Sequence, residues 1–457
     1  MYRKIILISI IFLLGACSSS KTAKRNAAQM AAAPAWVKER PMSSMYYIGV
    51  AKVSKLTYPD SYQEVGKKVA LNDLASEISV NIQSNSLVSS YEDNAGFQSE
   101  FTRFIQMEMT KDLAGYQMQG TFETDEQYMV YYRLSKAKWA EIQAERKKAA
   151  ADRAKTMFNQ GAKEEGELNY LTAIKSYLNA LLELKKYWNE PVYYKVNEEQ
   201  KRLDLDIRTA LTDILASIKL SVRPTNLKLN YKNGFKDILS VAVVNEKGEM
   251  LKNFPVKINY RKVSIPYQTT LFTGSDYKQV EIASVKYKPN DLFVIAEIEK
   301  DKVLQIKSED RKLLKFISDA FQANPVKLRI DYTLPTIYIS TNNESSPNLH
   351  YLKDAIQQSL GKQYFIIAND PKDADLLFKL KVHESAPPST TKVMSVLLSY
   401  SIQVLEKTKH TIIYTYSSDK YKGVDYSLAS AREKSYIKAA DDINDSSFKN
   451  LLQTISD

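Results

Sequence analysis

The chain has 457 residues, 44% of them hydrophobic, 26% charged and 11% aromatic, and a formal net charge of +11. That balance is globular and excludes a disordered or collagen-like chain; at about 100–200 residues per domain, the length predicts three or four domains. A single cysteine, Cys17, excludes internal disulfides and thiolate metal clusters, and lysines scattered without a zinc-finger or RNP-type motif argue against a nucleic-acid partner.

The first residues set the compartment. Arg3 and Lys4 precede an apolar run at 5–14, too short for a hydrocarbon layer of about 30 Å but suited to a signal-peptide core. Leu14-Gly15-Ala16-Cys17 follows at once and resembles the lipobox of bacterial lipoproteins. The resemblance implies a signal peptide over 1–16, removed before Cys17, and lipid on the cysteine sulfur and the new N-terminus. Each buried methylene contributes about 0.8 kcal/mol, so several acyl chains make a durable anchor. Residues 17–33 read as a tether. Ser18 after the cysteine, in place of Asp, implies the outer membrane, and the lack of an acidic run points to its periplasmic face.

Residues 34–136 read as an α+β domain. Tyr47-Ile48-Gly49-Val50-Ala51 is strand-like. Asp60 with Gln63 offers a capping box for a helix whose Leu71, Leu74, Ala75 and Ile78 share one face. Val80 and Ile82 alternate with polar neighbours as in a strand. A second helix is expected over 96–112, with Phe97, Phe101, Phe104 and Ile105 inward, then two strands around Glu123-Thr124-Asp125-Glu126. The Pro34-Ala35-Trp36-Val37 opening, the 47–51 strand and Val69-Ala70-Leu71-Asn72-Asp73-Leu74-Ala75 resemble the LPP-twenty family of outer-membrane lipoproteins. That resemblance implies an envelope lipoprotein without catalytic residues. Trp36 is expected to anchor a core or an edge.

Residues 137–217 read as helical. Arg146, Lys147, Lys148, Arg153 and Lys155 form the densest basic cluster, expected to be a solvated helix face. Gly161, Gly166, Leu168-Asn169-Tyr170 and Ala173-Ile174 resemble one tetratricopeptide-type helix pair. A third helix is expected over 192–217.

Residues 218–325 read as a β-sandwich-like domain, with Asn245-Glu246-Lys247-Gly248 and Gly274-Ser275-Asp276 as turns. A connecting helix is expected over 312–322. Residues 326–457 read as a C-terminal α+β domain. Its first helix is expected to be capped by Ser346 and stopped by Gly361; a hairpin follows over 393–416. The last helix is expected to pack through Phe448, Leu451, Leu452 and Ile455. The fold class is therefore α+β, multidomain.

His350, His383 and His410 lack metal-ligand spacing, and no Gly-x-Ser-x-Gly elbow or phosphate loop occurs. Asp441-Asp442 reads as a solvated pair. No cofactor, metal or catalytic residue is expected, and Cys17 is the single site residue. The expected partners are the membrane, through the lipid on Cys17, and another envelope protein. An alternative, a glycan-binding lipoprotein, is motivated by thirty tyrosines and the sandwich, and requires an exposed aromatic platform.

Overall fold

The computed structural model describes residues 24–25, 27–78, 82–91, 95–262, 265–285, 287, 292–342, 345–388, 392–446 and 451. Cys17, the signal stretch expected over 1–16, Val80, Phe448, Leu452 and Ile455 lie outside them. The described chain is a mixed α+β multidomain protein. It divides into two units: Met1–Ala216 with Leu304–Phe321, and Ser217–Val303 with Gln322–Asp457. Within the expected tether over 17–33, residues 24–25 and 27–31 are helical.

Unit 1 opens with β1 (Tyr46–Ser54), α1 (Tyr62–Glu77), α2 (Ala95–Asp112), β2 (Gln117–Glu123) and β3 (Gln127–Ser135), the strands pairing antiparallel in the order β1-β3-β2. The spacing of Ala70, Leu74 and Ile78 lays α1 over Tyr128, Val130, Tyr132 and Leu134 of β3. The expected capping box does not form. Residues 55–61 instead fold as successive turns, and α1 starts after Ser61 without a side-chain cap. Trp36 packs on the sheet, 5.8 Å from the Tyr131 ring, opposite Gly120, as an edge anchor.

The free edge of β1 is closed by side chains. Glu77 accepts from the Ile48 N–H (2.7 Å) and Asp73 from the Val50 N–H (2.8 Å), while Arg40 bonds both carboxylates and the Ile48 carbonyl. Carboxylates one helical turn apart thus replace a neighbouring strand, which blunts the edge against further pairing.

Two helices follow, α3 (Lys136–Gly166) and α4 (Tyr170–Glu183). Gly161 makes their close approach possible: a Cβ there would lie 2.5 Å from the Tyr177 ring. The expected third helix starts late. Tyr193 and Tyr194 favour a strand, and Asn197 and Glu198 take positive φ, so 193–202 forms a hairpin, β4 (Tyr193–Val196) with β5 (Glu199–Arg202), before α5 (Leu203–Ser217).

Unit 2 carries β6 (Lys219–Arg223), β7 (Asn226–Leu229), β8 (Asp237–Val244), β9 (Met250–Leu251), β10 (Pro255–Arg261), β11 (Pro266–Phe272), β12 (Lys278–Ile282), β13 (Phe293–Ile298) and β14 (Val326–Tyr332). They form a five-stranded sheet, β11-β10-β13-β14-β7, and a second one, β12-β8-β6, extended by β9. Buried residues alternate along β10 and β13, the period-two pattern of strands with one face in a core.

The C-terminal sheet contains β15 (Thr336–Thr341), β16 (Ile366–Ile367), β17 (Leu376–Ser385), β18 (Met394–Glu406), β19 (Ile412–Ser417) and β20 (Tyr421–Asp425), in the order β16-β15-β17-β18-β19, with β20 also on β18. Two helices, designated α8 (Leu349–Lys362) and α9 (Leu428–Ser446) because α6 (Lys300–Leu304) and α7 (Lys315–Ala320) precede them in the chain, share its core. Here α8 is preceded by Asn348 rather than Ser346, and it runs through Gly361; the left-handed residue beyond its end is Tyr364, φ 67°. Leu451 is buried in this core.

Candidate functional site

A cleft of about 1220 Å³ opens on unit 1. Helical periodicity builds its walls. Glu100, Arg103, Phe104, Met107, Glu108 and Lys111 recur on one face of α2; Arg146, Ala149, Ala150 and Arg153 on one face of α3; Lys175, Leu178, Asn179 and Leu182 on one face of α4. The last wall is 304–313, the stretch that follows β13 of unit 2 in sequence but packs in unit 1.

That stretch is held by chemistry placed far away in sequence. Lys185 meets Asp310 at 2.5 Å, both side chains nearly buried, with the ammonium 3.7 Å from the Phe104 ring centroid. Phe316, on α7, enters a box of aromatic rings: Tyr91 at 4.6 Å, Phe97 at 6.2 Å and Trp188 at 6.2 Å between centroids. The helix expected over 312–322 forms as the shorter α7 after a 3₁₀ turn at Ser308–Asp310, and the segment packs in unit 1 rather than merely linking its neighbours.

The charges of the cleft are largely paired among themselves. Arg103 and Lys312 meet Glu100; Lys111 and Lys186 meet Glu108; Lys186 also meets Asp112; Arg153 meets Glu183 at 2.6 Å. Arg103 and Lys312 hold the Glu100 carboxyl below its ordinary range, and Lys111 with Lys186 does the same for Glu108. Burial alone would lower Lys186, but Asp112 and Glu108 outweigh it and raise it. Burial pushes the Tyr187 phenol up. A smaller hollow of about 280 Å³ lies behind this ion-pair wall and shares Glu108, Asp112, Lys186 and Tyr187 with the cleft.

The basic cluster on α3 is a solvated face only in part: Lys148 and Arg153 are exposed, while the other three cations turn to neighbouring elements. Arg146 donates to the Asp112 carbonyl (2.9 Å), Lys147 to the Pro191 carbonyl and Glu190, and Lys155 to the Lys195 carbonyl. These cations brace α3 against elements that the sequence places tens of residues away.

In unit 2, Asp442 is likewise not simply solvated: it accepts from the Tyr421 hydroxyl (2.5 Å) and lies 3.5 Å from that of Tyr416. The three histidines stay apart, on α8, on β17 and just before β19. No group of three metal-ligating side chains occurs among the described residues, and none of their helices is long and apolar enough to cross a membrane. The exposed aromatic residues Tyr58, Tyr193, Phe272, Tyr364 and Tyr426 belong to separate segments, and among the described residues no two of their rings touch.

No family model matches the chain, and no curated protein does. Solved structures with local likeness include a lipoprotein from Neisseria meningitidis (7% identity, 24% of this chain, 96% of the other, TM-score 0.18). Rare lipoprotein B from Shewanella oneidensis is similar at 14% identity over 24% of this chain and 89% of its own, TM-score 0.16. A minor lipoprotein from Acinetobacter baumannii matches at 10% identity over the same shares, TM-score 0.17.

Proposed function

We propose that the chain is a lipid-anchored protein of a Gram-negative outer membrane that faces the periplasm and works, without catalysis, as a scaffold or assembly accessory through protein–protein contacts. The observation that carries this reading is Leu14-Gly15-Ala16-Cys17 directly behind a short apolar run and a basic start. The LPP-twenty-like stretch over 34–136 supports it. So does the cleft of unit 1, a long helix-walled groove lined by both apolar and charged side chains, which suits a macromolecular partner better than a small substrate.

Mass spectrometry of the native protein tests the anchor. The expected product begins at an acylated Cys17, and Cys17→Ala remains unacylated with its signal stretch attached. A bare Cys17 in the native protein overturns the anchoring. Crosslinking in whole cells tests the second half: a stable complex is expected, and an uncrosslinked monomer speaks against the scaffold role.

A further inference from the structure

The cleft itself narrows the choice of partner, and the inference here rests on the protein-binding reading above. Its α2 wall runs from Glu100 to Asp112, about 18 Å at 1.5 Å per residue. Apolar side chains come from three of its walls, Phe104 and Met107 on α2, Leu178 and Leu182 on α4 and Leu313 opposite, and Met107 is 56% exposed. A flexible, exposed methionine lining a groove is a side chain that repacks around an incoming apolar surface.

The rim has a sign. Of its fifteen charged residues nine are cationic, and all its carboxylates but Glu309 are engaged by a lysine or arginine of the cleft. On the cationic side, Lys175 on α4 and Lys307 on the opposite wall are exposed and have no carboxylate partner among the described residues; Arg146 bonds only a backbone carbonyl. The spare charge of the groove is thus positive on two of its walls, beside apolar side chains along a stretch three helical turns long.

We propose that this cleft takes an acidic amphipathic helix of about twelve residues from a partner protein, with apolar side chains against Met107, Phe104 and Leu182 and carboxylates toward Lys175 and Lys307. The geometry is that of a helix in a groove, anchored at i, i+3, i+4 and i+7.

The test is fluorescence anisotropy on the detergent-solubilised full chain with two labelled helical peptides. One has Leu at i, i+3, i+4 and i+7 with Glu elsewhere; the other has Lys in place of Glu. The Glu peptide is expected to bind and the Lys peptide to fail. Lys175→Glu with Lys307→Glu is expected to weaken the Glu peptide about tenfold or more, and Met107→Asp to weaken it as well. Lys379→Glu with Lys381→Glu, on the exposed side of β17 in unit 2, is expected to change nothing. Equal binding of both peptides, or unchanged binding by the Lys175→Glu/Lys307→Glu variant, overturns the proposal. Displacement of the peptide by monomeric dihexanoyl-phosphatidylglycerol, lost in that same variant, reassigns the groove to anionic lipid and overturns it too. Acylation of Cys17 is read separately, so a failure here leaves the anchor standing.

Discussion

Gly49 lies where β1 passes under α1, and a Cβ there would sit 2.1 Å from the Ala70 carbonyl oxygen and 2.7 Å from the Leu74 Cβ. Neither neighbour is the free end of a flexible side chain, so the strand must move away from the helix. Gly49→Ala is expected to destabilise the protein by about 1–3 kcal/mol in urea unfolding; an unchanged midpoint would show that β1 and α1 separate freely. Tyr436 is the residue whose proton matters at high pH. Burial, then its hydrogen bond to Glu384 (2.5 Å), pushes the phenol up to about 12. The unfolded phenol titrates near 10. The group therefore contributes stability that is complete below about pH 10 and is lost as pH rises toward 12. Alkaline unfolding followed by tyrosinate absorbance should show this loss, and Tyr436→Phe should remove that part of the pH dependence. Sequence alone could not separate Tyr436 or Asp442 from solvated neighbours, since the partners Glu384 and Tyr421 come from β17 and β20.

Among the elements, those with strong local signals were legible in the sequence. The 3.6-residue spacing of α1 and α2, the alternation of β3 and the small residues between α3 and α4 each needed no distant partner to be read. The 193–202 hairpin was missed because its charged second strand, Glu199-Gln200-Lys201-Arg202, has helix-like composition while its turn is set by backbone geometry at Asn197 and Glu198. The cleft was invisible for a different reason: it combines faces of α2, α3 and α4 with 304–313, and no spacing rule links them. The Lys185–Asp310 pair is the sharpest example. Lys185→Met leaves a nearly buried carboxylate without its cation and is expected to cost about 3–5 kcal/mol. Lys185→Met with Asp310→Leu is expected to recover most of that loss. Hydrogen exchange confined to 304–321 would read the effect, with faster exchange in the single variant and near-normal exchange in the double. A single variant that exchanges at the native rate would mean that the Phe316 aromatic box holds the segment unaided.

At the scale of the whole molecule, the chain passes from unit 1 to unit 2 after Ala216, returns at Leu304 and leaves again after Phe321. Neither unit is a continuous stretch of sequence. A fragment ending at Ala216 would lack Phe316, Leu313 and Asp310, and would leave Tyr91, Phe97 and Trp188 without their fourth ring and Lys185 without its carboxylate. Such a fragment is expected to bind hydrophobic dye and to melt at a lower temperature than unit 1 within the full chain, and a peptide of residues 304–321 added in trans is expected to reverse both. No effect of the peptide would mean that the segment is an accessory to a fold complete without it.

This interleaving also sets a timetable for a chain that is made N-terminus first. The three-stranded sheet and the α3/α4 pair can form early, but the aromatic box stays open to water until Phe316 arrives, after Ser217–Val303 has been made. Through that interval the nascent molecule presents a greasy, unfinished surface, the kind of surface that holding chaperones recognise. Its need for such an escort would therefore end with the arrival of one short segment, well before the last strand is made.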